Sequence, residues 1–117
     1  MKIEERCIGR VTILDLAGKV VANEGDTLLK DKIRSLVFQG KGQIVINLAD
    51  VTFMDSSGLG TMCGAFTTAR SAGGDIRLLN LTKRIQNLLA ITKLSMVFET
   101  FDSEEAAVNS YSVTATV

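Results

Sequence analysis

The chain of 117 residues contains no histidine, no proline and no tryptophan. Without histidine, neither a Ser-His nor a Cys-His nucleophilic pair can be assembled within it. Its two cysteines, Cys7 and Cys63, lie far apart and lack the pairing and spacing of a zinc site. They read as reduced thiols in or near the core. One tyrosine and five phenylalanines offer no aromatic platform for single-stranded nucleic acid. Charge of one sign is missing as well. The 13 lysines and arginines balance 13 aspartates and glutamates, which removes the electrostatic case for nucleic acid or an anionic membrane. No apolar run approaches the roughly 20 residues of a membrane span. The opening "MKIEERCIGR" is charged and alternating, unlike a signal peptide. The expectation is a cytoplasmic protein with no membrane insertion, no direct nucleic-acid contact, no metal and no cofactor.

What is present points to a globular fold. Hydrophobic residues make up 46% of the chain, and its length suits one domain with a real core. Residues 2–7 and 10–17 read as a hairpin, the second arm stopping at Gly18. Asp26 is placed to cap a helix in which Leu29, Ile33, Leu36 and Val37 recur at helical spacing. "QIVINL" reads as a strand buried on both faces. A helix over 57–71 follows, then the strand "DIRLLNL", the helix "TKRIQNLLAIT" and a short strand "MVFETF". Asp102 or Ser103 opens a last helix, with Glu104 and Glu105 in its first turn, and "SVTATV" shows no helical period. Alternating strands and helices predict an α/β fold: one mixed, mainly parallel sheet with helices packed on it. Sites in such sheets lie beyond the carboxyl ends of the strands.

"FMDSSGLGTM" falls at such an end. A nucleophile elbow needs Gly-x-Ser-x-Gly, but Met54 and Asp55 stand where the first glycine should be. A phosphate-binding loop needs a lysine after its last glycine, and Thr61 follows Gly60. Two readings remain for Ser56 and Ser57. One is a helix cap; the other is a phosphoacceptor at a helix N-terminus, where free amides and the dipole welcome an anion. At helical pitch, Leu59, Met62, Cys63, Phe66 and Ala69 share the core face. Ser57, Thr61, Gly64, Thr68 and Ser71 line the opposite face, and Arg70 is the helix's only charge. A solvated helix face carries charges, whereas interface centres are depleted of them. The uncharged stripe therefore fits a partner-binding surface, or packing against a neighbouring helix of the same domain.

"NLADVTFMDSSGLG" closely resembles the signature of STAS domains, specifically the bacterial anti-sigma factor antagonists. The likeness extends through "GGDIRLLNLTKRIQNLLAITKL" and "VFETFDSEEAAV". It implies a single STAS-type domain over 1–112 with a tail over 113–117, its helices packed mainly on one side of the sheet. It also implies a regulatory switch rather than an enzyme. An anti-sigma factor that is also a serine kinase would phosphorylate Ser57 and thereby be released, and a serine phosphatase would restore binding. The resemblance selects Ser57 over Ser56, has Asp55 shape the loop, and has Gly58 let partner and backbone approach closely. Partner contact is expected at Asp55, Ser56, Ser57, Gly58, Thr61, Gly64 and Thr68. Many members carry an acid in the loop after the second strand; here "GKVV" puts Val21 in its place, leaving Asn23, Glu24 or Asp26 to supply polar contacts. The alternative is a constitutive STAS interaction subunit of a stress-signalling complex, a transporter or a lipid-export system, with Ser57 chiefly a cap.

Overall fold

The computed structural model describes residues 1–22 and 24–115, with side chains as far as Tyr111. Five strands form one sheet in the order β1-β2-β3-β4-β5. They are β1 (Lys2–Ile8), β2 (Val11–Val20), β3 (Gln43–Met54), β4 (Asp75–Leu79) and β5 (Thr100–Phe101). β1 and β2 make an antiparallel hairpin, and the remaining pairs are parallel. Four α-helices connect or flank them: α1 (Gly25–Phe38), α2 (Ser56–Ser71), α3 (Lys83–Ile91) and α4 (Glu104–Ala115).

Side-chain alternation splits the core into two layers. Leu14 and Leu16 of β2, with Ile44, Ile46 and Leu48 of β3, pack against α1, α2 and α3. Burying each such side chain contributes about 1.5–3 kcal/mol, so this layer dominates stability. On the reverse face Val11, Ile13 and Val45 meet Ala107, Val108 and Tyr111 of α4. The helices thus lie mainly on one side of the sheet. Tyr111 anchors α4: its hydroxyl is within 2.7 Å of the carbonyl oxygens of Ile44 and Asp75, and burial pushes its pKa well above the usual phenol range. Arg77 stacks 4.0 Å from the centroid of the same ring.

Several local expectations change. Asp26 does not cap α1; the helix starts at Gly25, and the Asp26 carboxylate accepts from the Thr27 amide at 2.7 Å. On the core face of α2, Ala65 joins Leu59, Met62 and Ala69 as fully buried, while Cys63 and Phe66 lie half-buried and pack against the same core. "MVFETF" is mostly not a strand. A 3₁₀ turn occupies Leu94–Met96, and only Thr100 and Phe101 pair with β4, because this segment must first turn back from α3. Cys7 is exposed on the edge strand rather than near the core. α4 runs on to Ala115, past the start of "SVTATV".

On the α4 face a polar chain crosses the sheet. Arg6 donates to Asp15 at 2.6 and 3.0 Å and to Glu104 at 2.5 Å. Asp15 also accepts from Asn47 at 2.8 Å. The Arg6 guanidinium, with help from Asn47, holds the Asp15 carboxyl below its ordinary value against the opposing effect of burial. A carboxyl depressed in the folded state adds stability that is present above its unfolded pKa and lost as pH falls through the folded one. Stability measured by urea unfolding should therefore decline as pH drops below about 4, and Asp15→Asn should make that decline shallower. An identical acid profile in Asp15→Asn would contradict this.

Candidate functional site

The site forms where β2 and β3 end side by side, Val20 opposite Met54. The chain turns at Asp55 and enters α2 at Ser56. Asp55 is the N-cap: it is extended, with φ −98° and ψ −175°, and its Oδ1 accepts from the Gly58 amide at 2.8 Å. Its Oδ2 accepts from the Ala22 amide at 3.3 Å. One carboxylate therefore ties the β2–α1 loop to the first turn of α2. The cap role belongs to Asp55, not to either serine, because the helix begins one residue earlier than the sequence pattern suggests.

Ser56 and Ser57 occupy the first two helical positions and are both exposed. Ser57 carries a free hydroxyl among the described residues, at the helix end where backbone amides point outward. Gly58 is buried, and a Cβ there would overlap the carbonyl oxygen of Val20 and approach Cγ1 of Val20 at 2.9 Å. The close approach that the structure shows at Gly58 is internal, between α2 and β2.

The uncharged stripe of α2 borders an open groove against α1, of about 380 Å³. Ser57, Thr61, Gly64 and Thr68 line it, as the helical projection predicts, together with Gly60, which was not foreseen. Ser71 is exposed further along the helix. A Cβ on Gly60 or Gly64 would meet nothing within 4 Å, so the stripe is not packed away against α1. The opposite wall is α1, which contributes Asp26, Lys30 and Arg34. Of these, Lys30 and Arg34 were missed as site residues. Their signal was present in the charged face of α1, but only the tertiary pairing of α1 with α2 gives it meaning. Arg70, the one charge of α2, sits away from this groove, 3.6 Å from Asp75 and over the Phe66 ring.

The β2–α1 loop does lie at the site. Val21 is half-buried, and its carbonyl accepts from the amides of Glu24 at 3.3 Å and Asp26 at 3.2 Å. Of the residues expected to supply polar contacts, Asp26 reaches the groove, whereas Glu24 faces the Met1 amino group at 3.9 Å. Asn23 lies outside the described residues. Burial pushes the Cys63 thiol above its ordinary pKa, which disfavours the reactive thiolate.

The pattern of STAS domains matches residues 2–107. The chain belongs to the STAS domain family. Among curated STAS relatives, the anti-sigma-B factor antagonist of Bacillus subtilis is 36% identical over 81 residues, covering 69% of this chain and 73% of the relative. The anti-sigma-B factor antagonist of Listeria monocytogenes is 35% identical over 103 residues, covering 85% of each. Among solved structures, the anti-sigma factor antagonist SpoIIAA superposes in its unphosphorylated form with a TM-score of 0.75 and 23% identity, covering 94% of this chain and 97% of SpoIIAA. The Bacillus SpoIIAA in its phosphorylated form gives 0.74 and 23%, covering 94% and 99%. These likenesses agree with the sheet order and helix placement found here.

The geometry separates three neighbouring residues by role. Asp55→Ala should cost about 0.5–2 kcal/mol in urea unfolding through loss of the cap. Ser57→Ala should stay within about 0.5 kcal/mol of the parent, as exposed changes usually do. Gly58→Ala should cost about 1–3 kcal/mol through overpacking against Val20. A Ser57→Ala loss as large as that of Asp55→Ala would return the cap role to Ser57.

Proposed function

We propose that this STAS domain is an anti-sigma factor antagonist switched by phosphorylation of Ser57. In its unphosphorylated form it binds an anti-sigma factor that is also a serine kinase, and so frees the sigma factor for transcription. Phosphorylation of Ser57 ends that binding, and a serine phosphatase restores it. The domain acts by binding, not by catalysis. The observation that carries this reading is Ser57 itself: exposed, without a hydrogen-bond partner for its hydroxyl among the described residues, at the second position of α2, and lining an open groove whose α2 wall is uncharged.

The chemistry is consistent with a switch. A phosphate at the head of α2 meets outward amides and the positive helix end, worth about 0.3–1 kcal/mol, so the modified helix stays folded. The phosphate also brings about −1.5 to −2 charges into a surface a partner must cover. A hundredfold to thousandfold loss of binding corresponds to about 2.7–4.1 kcal/mol. Desolvating a dianion against that surface is sufficient to supply it. The constitutive alternative relied on Ser57 as a cap, and Asp55 fills that role.

Incubation of the purified protein with its anti-sigma factor kinase and ATP, followed by phosphosite mapping, should place phosphate on Ser57. Calorimetry should find Ser57→Asp binding that kinase far more weakly than Ser57→Ala. Equal affinities together with phosphate-free protein would reject the switch.

A further inference from the structure

The two walls of the α1–α2 groove differ in charge. The α2 wall has none. The α1 wall carries Lys30 and Arg34, one helical turn apart, and Asp26 one turn before them. Neither Lys30 nor Arg34 is in an ion pair among the described residues, whereas the Asp26 carboxylate is engaged by the amide and hydroxyl of Thr27, at 2.7 and 3.3 Å. Two cations and one anion leave the groove with one net positive charge, in a chain whose overall balance is zero. Residues spaced by four on a helix project the same way, so both cations border the same space. Ser57 borders it from the other side.

We infer that this groove receives an acidic segment of the anti-sigma factor, its carboxylates pairing with Lys30 and Arg34 while its backbone lies along Gly60 and Gly64. This rests on the function proposed above and specifies the partner chemistry of the same site. Open space over the two glycines lets a partner chain come close to α2. The unpaired cations give that chain a preferred sign and register. The switch then has an electrostatic basis. A phosphate of about −1.5 to −2 on Ser57 turns a groove of net charge +1 into one of about −0.5 to −1, which repels the acidic segment that the unmodified groove attracts.

The test uses the full chain and the purified anti-sigma factor kinase, with affinity measured over a range of salt concentrations. The double variant Lys30→Gln/Arg34→Gln removes both charges while keeping good helix formers. Its affinity should fall about tenfold or more at low salt, and the parent's weakening with salt should flatten. A distant pair, Lys41→Gln/Lys93→Gln, should behave as the parent and controls for net charge. Thermal midpoints close to the parent's check that both variants are folded. An affinity within about twofold of the parent with an unchanged salt slope would overturn the acidic-segment inference while leaving the antagonist reading intact. Equal weakening by the distant pair would also overturn it, since the cause would then be the field of the whole molecule. A parent protein that binds no anti-sigma factor kinase would overturn the antagonist reading, and this inference with it.

Discussion

The carboxylate of Asp55 joins two pieces of chain 33 residues apart, the loop after β2 and the first turn of α2. Most of what is distinctive about the molecule depends on that junction. It fixes where α2 begins, and so which serine is first and which second. It also presses Gly58 against the Val20 carbonyl, with no room for a side chain. A helix held this close to the sheet at its N-terminus must present its next positions outward. Ser57 is exposed for that reason, and not because the loop carrying it is loose.

The same constraint governs the groove. α2 is anchored at one end by Asp55, and at the other it stops where Gly73 takes a positive φ of 85°. Between those points Leu59, Met62, Ala65 and Ala69 bury one face. The face turned toward α1 is then lined by glycine and threonine, too small to close the space. α1 brings larger side chains to the facing wall, and apart from the buried Ile33 these are charged. The result is a surface that is smooth on one side and charged on the other. An ordinary packed helix pair would interdigitate its side chains and leave no groove. The STAS framework supplies the sheet and helices, while the groove's character comes from a few positions on two helices.

The reverse face of the sheet serves stability. Tyr111, Arg77 and Ser110 pin α4 to β3 and β4, and Arg6 links the hairpin to the start of α4 through Asp15 and Glu104. These contacts lie on the other side of the sheet from the groove. The sheet therefore separates Ser57 from the charged bonds that hold α4.

The sequence alone determined the element order, the hairpin, the α/β class and the place of Ser57 at a strand end and helix start. Periodicity carried this, because local backbone geometry imposes repeats of 2 and 3.6 residues on any half-buried segment. It also set out the uncharged stripe of α2 one residue at a time, leaving out Gly60, which lies at the margin of that face at helical pitch. What only the tertiary structure decided is which atoms meet. The choice of Asp55 as cap depends on a helix boundary that periodicity locates to within a residue or two. The internal contact of Gly58 depends on β2, distant in sequence. The part played by Lys30 and Arg34 depends on α1 lying beside α2. Each is a contact between segments far apart along the chain, and local sequence carries no record of which surfaces the fold brings face to face.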